Sequence, residues 1–167
     1  MRRPRCDSRF DRVQLIPVAC AGFLLAVLWM DLIFDSQVLI HRGAEVLPES
    51  VLDSISRYYH RATTTSRPMS FLIALVMAIL LGSLGFRAFS TPEPGWLLVG
   101  SFVLAGVPIL LAMTRTVPNA VALGKRVGTP AEQSRLARAI CRDHVVCLVL
   151  VSAFLTVWIA GDLLGTP

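Results

Sequence analysis

Trp96-Leu97-Leu98-Val99-Gly100-Ser101-Phe102-Val103-Leu104-Ala105-Gly106-Val107-Pro108-Ile109-Leu110-Leu111-Ala112-Met113 carries no charged side chain from end to end. Three further stretches, Val13 to Met30, Pro68 to Phe86 and Val145 to Leu164, are equally apolar through their centres. A helix rises about 1.5 Å per residue, so about 18–22 residues match a hydrocarbon core of about 30 Å. Lipid offers no partner to a peptide N–H or C=O, so each stretch has to satisfy its backbone within itself and is helical. The fold class is therefore all-α. A four-transmembrane-helix bundle is expected in one domain over 1–167, with spans at about 13–34, 68–86, 96–114 and 140–164.

Composition agrees. The 167 residues are 54% hydrophobic, with a mean hydropathy of +0.65, too apolar for so small a surface to hide in water. The net charge of +5 does not point to nucleic acid, because the arginines, absent from the C-terminal tail, are spread over the N-terminus and every loop, where they anchor helices and meet anionic lipid. Membrane lipids are the expected partners, and a multi-pass place in the cell membrane the expected location. Both long loops lean towards the cytoplasm by their basic residues, while Arg2, Arg3, Arg5, Arg9 and Arg12 argue the reverse. Those arginines ahead of an apolar run resemble a signal peptide, but Trp29-Met30-Asp31 offers no small-residue cleavage site, and the first helix is expected to stay. Cys6, Cys20, Cys141 and Cys147 have neither C-x-x-C nor zinc spacing and read as small buried hydrophobes.

Between the first two spans, Val51, Leu52, Ile55, Tyr58, Tyr59 and Ala62 recur at helical spacing. They predict an amphipathic interfacial helix over about 50–62, with tyrosines at headgroup depth. Ser50 and Asp53 have capping-box-like spacing, Thr63-Thr64-Thr65-Ser66 is expected to break the helix, and Pro68 to open the second span. Pro108 should bend the third span, and a loop should follow Asn119 through Gly124 and Gly128. Thr129-Pro130-Ala131-Glu132 starts a long fourth helix, about 130–164, whose first half projects from the membrane. Gly82, Gly85, Gly100 and Gly106 would permit close helix approach, within the bundle or in a homo-oligomer.

Four spans bring the end of the first and third helices and the start of the second and fourth to one membrane face. That face collects Asp31, Asp35, Gln37, His41, Arg61, Arg67, Arg115, Asn119, Arg142 and His144. Asp31 and Asp35 share one side of the first helix, and His144 lies opposite the Arg135, Arg138 and Arg142 stripe, towards the bundle. One reading is a polar mouth over an apolar cavity for a hydrophobic or aromatic small molecule. In it Asp31 and His144 are the candidate catalytic groups, with Asp35, His41, Arg67, Asn119 and Arg142 as ligand-binding residues. The other reading is structural: wet helix ends, Asp31 and Asp35 paired with Arg67 or Arg142, and His144 packed against a carbonyl or Asn119. No histidine or carboxylate pair has tight metal-ligand spacing, no phosphate loop or hydrolase motif occurs, and no cofactor or metal is expected.

Tyr58-Tyr59-His60-Arg61-Ala62-Thr63-Thr64-Thr65-Ser66-Arg67-Pro68-Met69 leading into a span resembles the anthrone-oxygenase-like family of small four-helix membrane proteins. So does Val117-Pro118-Asn119 followed by Pro130-Ala131-Glu132 and Arg138 to His144. Most members have no assigned function, and a few are described as cofactor-free oxygenases of aromatic polyketides. The resemblance implies a base, His144 or Asp31, that removes a proton from an acidic anthrone-like carbon to give a carbanion that reacts directly with oxygen. Arg142 or Asn119 would stabilise the enolate. The competing class is a non-catalytic membrane subunit, a scaffold, or a lipid or metabolite carrier.

Overall fold

The computed structural model describes residues 8–90 and 94–164, with the side chains of 8–14, 67 and 162–164 excepted. In chain order the helices are α1 (Ser8–Ile40), α2 (Glu49–His60), α3 (Arg67–Ser90), α4 (Gly95–Leu111), α5 (Val117–Gly124) and α6 (Pro130–Leu164). No strand occurs among the described residues. Four segments are long and apolar enough to cross a membrane, namely Leu15–Ile40, Pro68–Ser90, Gly95–Gly124 and Pro130–Gly161, which marks a multi-pass membrane protein. Phe71, Leu75, Phe89, Trp96 and Val99 stand exposed on the outside of the bundle. In water such apolar surface would drive aggregation; against lipid tails it is matched.

Two apolar cores stack along the bundle. The lower one joins Ala21 and Leu24 of α1, Leu80 and Leu84 of α3, Ala105 of α4, and Phe154 and Trp158 of α6. At its far end Trp158 donates from Nε1 to Ser101 Oγ (3.0 Å), and the buried Arg87 guanidinium lies 4.8 Å from the Trp158 ring centre. The upper core joins Val38, Leu52, Ile55, Tyr59, Leu123 and Ile140, from α1, α2, α5 and α6. The amphipathic helix of loop one is thus present as α2, and its apolar stripe is taken up by the protein itself. Burial against α5 and the projecting half of α6 removes Leu52 and Ile55 completely from solvent, at about 25 cal/mol per Å² of apolar area. Its tyrosines accordingly turn inward instead of resting among headgroups. The loop before it is clamped to α6: Leu47 N–H donates to Ser134 Oγ (2.9 Å), and Arg138 donates to the carbonyls of Ala44 and Glu45.

Helix α6 starts as its sequence dictates. Glu132 N–H donates to Thr129 Oγ1 (3.3 Å) while Thr129 N–H donates to Glu132 Oε2 (2.7 Å), a reciprocal cap ahead of an uninterrupted helix. Helix α2 differs from its expected start. Pro48 holds the cap position without a side-chain bond, and Asp53 pairs with Arg57 one turn on.

Two wide turns carry the threonines. Arg61–Thr65 and Ala112–Thr116 are π-helical. In both, threonine hydroxyls bond back to carbonyls: Thr63 to Tyr59 (2.7 Å) and Thr114 to Leu110 (2.7 Å), with Thr64 to His60 as well. The expected break after α2 falls at Ser66, which leaves the helical region (φ −90°, ψ 40°) before α3 begins at Arg67. Ala112–Thr116 instead runs without interruption into α5, so helix replaces the expected loop as far as Gly124, and the wider turn makes room for Pro118, whose ring cannot donate.

The glycines divide unexpectedly. A Cβ at Gly82, Gly85, Gly100 or Gly106 would meet nothing within 4 Å, so none of them serves a close helix approach within the chain. Gly124 does: its missing Cβ would lie 2.8 Å from the His60 backbone nitrogen, where α5 presses on the end of α2.

Candidate functional site

Between the two cores lies a polar layer built from three helices. Asp31 and Asp35 are one turn apart on α1, separated by about 6 Å along the axis. His144, on α6, sits between them. Its Nδ1 donates to Asp35 Oδ2 (2.7 Å), and its Nε2 lies 3.8 Å from Asp31 Oδ2. Helix α2 supplies the remaining partners. Tyr59 O–H donates to Asp35 Oδ1 (2.7 Å), and Tyr58 O–H donates to Asp31 Oδ1 (2.5 Å) while its ring stacks on Phe34 at 4.0 Å. Consecutive tyrosines on α2 thus match carboxylates one turn apart on α1.

The phenols are locked as donors. Burial, then the charge of Asp31, pushes the Tyr58 hydroxyl well above its ordinary range; burial, then the charge of Asp35, does the same to Tyr59. The carboxylates differ in access. Asp35 is fully buried with both oxygens bonded, whereas the Asp31 side chain is 19% exposed, with Oδ2 free of a close partner at the site's inner edge. Asp35 orients the imidazole; Asp31 faces open space.

That space is a cavity of about 160 Å³ among α1, α3, α4 and α6, partly open to the outside beside Val117 at the start of α5. Leu28, Ile73, Met77, Ile109, Val151 and Phe154 form apolar walls, and Asp31 and His144 stand in its lining with Thr116 and Cys147. Ala105 and Pro108 border it as well, small or ring-closed side chains that leave the volume unfilled. Such an arrangement can hold an apolar body and present a carboxylate and an imidazole to one polar end of it.

The other sequence candidates fall elsewhere. His41 donates from Nδ1 to Gln37 O (3.0 Å) at the exit of α1, and Asn119 is half-buried on α5; neither lines the cavity. Arg142 is largely exposed, its Nε 3.9 Å from the buried Asp143, which Arg115 also approaches at 3.6 Å. The pairing of Asp31 and Asp35 with Arg142 is therefore replaced by tyrosine and histidine, because the arginine stripe of α6 points away from α1. Arg67 begins α3, but its side chain lies outside those described, as do Cys6, Glu93, Asp162 and the side chains of Arg9 and Arg12.

Sequence reasoning missed both tyrosines as carboxylate partners. A signal was present, since Tyr59 shares the apolar stripe of α2 with Leu52 and Ile55, and a phenol on a buried stripe needs an acceptor. It also missed Thr116 and Cys147, whose place depends on how α4 and α6 pack. Among the described residues no group of three or more histidines, cysteines or carboxylates converges on a metal-sized point. Cys20, Cys141 and Cys147 are free and buried. No family model, curated protein or solved structure matches this chain.

Proposed function

We propose that this protein binds a hydrophobic or aromatic small molecule in the cavity within the cell membrane, and that Asp31 and His144 draw a proton from its polar end. The observation that carries the reading is the coincidence of an apolar void with an inward-facing carboxylate and an imidazole whose other nitrogen is held by Asp35. An imidazole oriented by a buried carboxylate is the arrangement general-base chemistry needs, contributing about 10²–10⁴-fold to proton transfer. Deprotonation at an acidic CH2 carbon of an aromatic ligand would give a carbanion that adds dioxygen to form a hydroperoxide, which loses water to leave a carbonyl, the cofactor-free oxygenase-like activity that the resemblance in loop one and before α6 implies. Arg142 and Asn119, expected to stabilise that charge, lie outside the lining; Thr116 lines it, with its hydroxyl donating to Leu111 O (3.4 Å).

A second reading, a non-catalytic scaffold, is favoured by the fully buried Asp35, whose bonds to Tyr59 and His144 tie α1, α2 and α6 together. One experiment separates the two. Purified protein in detergent is incubated in heavy water with resorcinol, a one-ring phenol whose ring hydrogens exchange through its keto form once the hydroxyl is deprotonated, and deuterium uptake at its ring carbons is followed beside thermal unfolding. Catalysis predicts that Asp31→Ala and His144→Ala lose exchange while remaining folded. Loss of folding in step with exchange, or no exchange above protein-free micelles, sinks the catalytic reading.

A further inference from the structure

The spacing between His144 and Asp31 says more about the occupant, resting on the cavity being a binding site. At 3.8 Å, Nε2 and Oδ2 are too far apart for a hydrogen bond to each other and too close for a large group between them. One atom fits, at hydrogen-bonding distance of about 2.7–2.8 Å from both and subtending roughly a right angle. In the state in which His144 Nε2 and Asp31 share one proton, one of the two donates and the other accepts, whichever carries it. The bridging atom therefore has to accept one hydrogen bond and donate another. A hydroxyl does this; an ether or ketone oxygen cannot donate, and an ammonium cannot accept.

The other carboxylate oxygens already hold partners. Tyr58 bonds Asp31 Oδ1, and Tyr59 with the His144 ring bonds both oxygens of Asp35, so His144 Nε2 and Asp31 Oδ2 are the pair left open to the cavity. The body attached to the hydroxyl meets a mainly apolar wall, broken by Thr116 and Cys147, and is limited by volume. A dry cavity of about 150 Å³ takes up one benzene ring, and this one is about 160 Å³. Met77 and Phe154 line it, a thioether and a ring edge that favour an aromatic body over an aliphatic one.

We infer that the cavity takes a single-ring aromatic hydroxy compound, of the phenol class, with its hydroxyl bridging His144 Nε2 and Asp31 Oδ2 and its ring against the apolar wall.

The test is equilibrium dialysis of labelled phenol, anisole and toluene against the intact protein in detergent, each referred to its partition into protein-free micelles. Phenol is expected to bind about 10- to 100-fold more tightly than anisole or toluene, the factor for one hydrogen bond to a charged group. In Asp31→Asn that preference should collapse while toluene binding is kept. Toluene or anisole binding as tightly as phenol overturns the hydroxyl assignment and leaves the cavity as a binding site. No binding of any of the three overturns the assignment together with the reading beneath it. The wild-type comparison decides the matter even where Asp31→Asn does not fold.

Discussion

Replacing Asp35 and His144 by alanine, singly and together, isolates the bond that fixes the imidazole. The two residues lie on α1 and α6, 109 positions apart, and meet at 2.7 Å with Asp35 wholly buried. Asp35→Ala strips an acceptor from Tyr59 O–H and from His144 Nδ1; His144→Ala leaves Asp35 with Tyr59 alone. Breaking a buried pair by removing one partner costs about 3–5 kcal/mol, much of it the penalty on the partner left behind. That penalty is counted in each single variant but is absent when both residues are gone. A hydrogen bond to a charged group contributes about 1.5–3 kcal/mol, so the two single losses should exceed the double loss by about that amount. Reversible unfolding in mixed micelles, followed by the fluorescence of the three tryptophans, measures all four proteins. Losses that add to within about 0.5 kcal/mol would show the pair uncoupled and refute the claim that Asp35 holds the His144 ring in place.

Three further outcomes follow from the same geometry. The chain has only two tyrosines, both buried against carboxylates, so neither should give a tyrosinate absorbance near pH 10, the ordinary phenol value, while the helices persist. Because their folded values lie above the unfolded one, the unfolded state loses protons first, stability falls as pH rises past about 10, and no change is expected at neutral pH; tyrosinate signal from fully helical protein near pH 10 contradicts this. Gly124→Ala drives a methyl into the backbone of His60, which cannot step aside as a side chain would, and should lower stability by about 1–3 kcal/mol in thermal unfolding, against little loss for Gly82→Ala in open space. Ala105→Val adds two carbons to the cavity wall and should gain up to about 1–2 kcal/mol while weakening toluene uptake in dialysis; unchanged uptake would place the ligand elsewhere.

Much of this architecture was legible because its causes are local. The charge-free runs that become α3, α4 and the latter half of α6 have a length only a bilayer explains, and Thr129-Pro130-Ala131-Glu132 carries its own cap. Topology then brought Asp31 and His144 to one rim without any knowledge of packing. What stayed hidden was set by long-range docking. Thr63-Thr64-Thr65-Ser66 reads as a plain breaker, and Ser66 does end the helix, but the π-turn before it, with threonine hydroxyls returning to carbonyls, had no signature in the sequence. Arg138 and Arg142 share a stripe on α6, yet only Arg138 meets the loop at Ala44 and Glu45, because the path of residues 41–48 decides which arginine finds a carbonyl. Tyr59 was legible as buried but not as a donor to Asp35, since that needs the register of α2 against α1.

The polar layer and the cavity are each unfavourable for stability, and their adjacency is the argument for function. Bringing the cavity's walls together would bury more apolar surface, so a space of about 160 Å³ among them is not what packing alone favours. Larger side chains at Ala105 or Cys147 would fill part of it. Two buried carboxylates add a desolvation cost that apolar residues of similar volume would avoid. A bundle shaped by packing alone would have removed both features independently, and would have had no reason to keep them in contact. Here the void opens against the one carboxylate of the two that retains an uncommitted oxygen, and against the imidazole nitrogen that Asp35 leaves free. An apolar body with one hydroxyl satisfies both at once, filling the volume and bridging the 3.8 Å gap, so a single occupant accounts for two costs that otherwise need separate explanations.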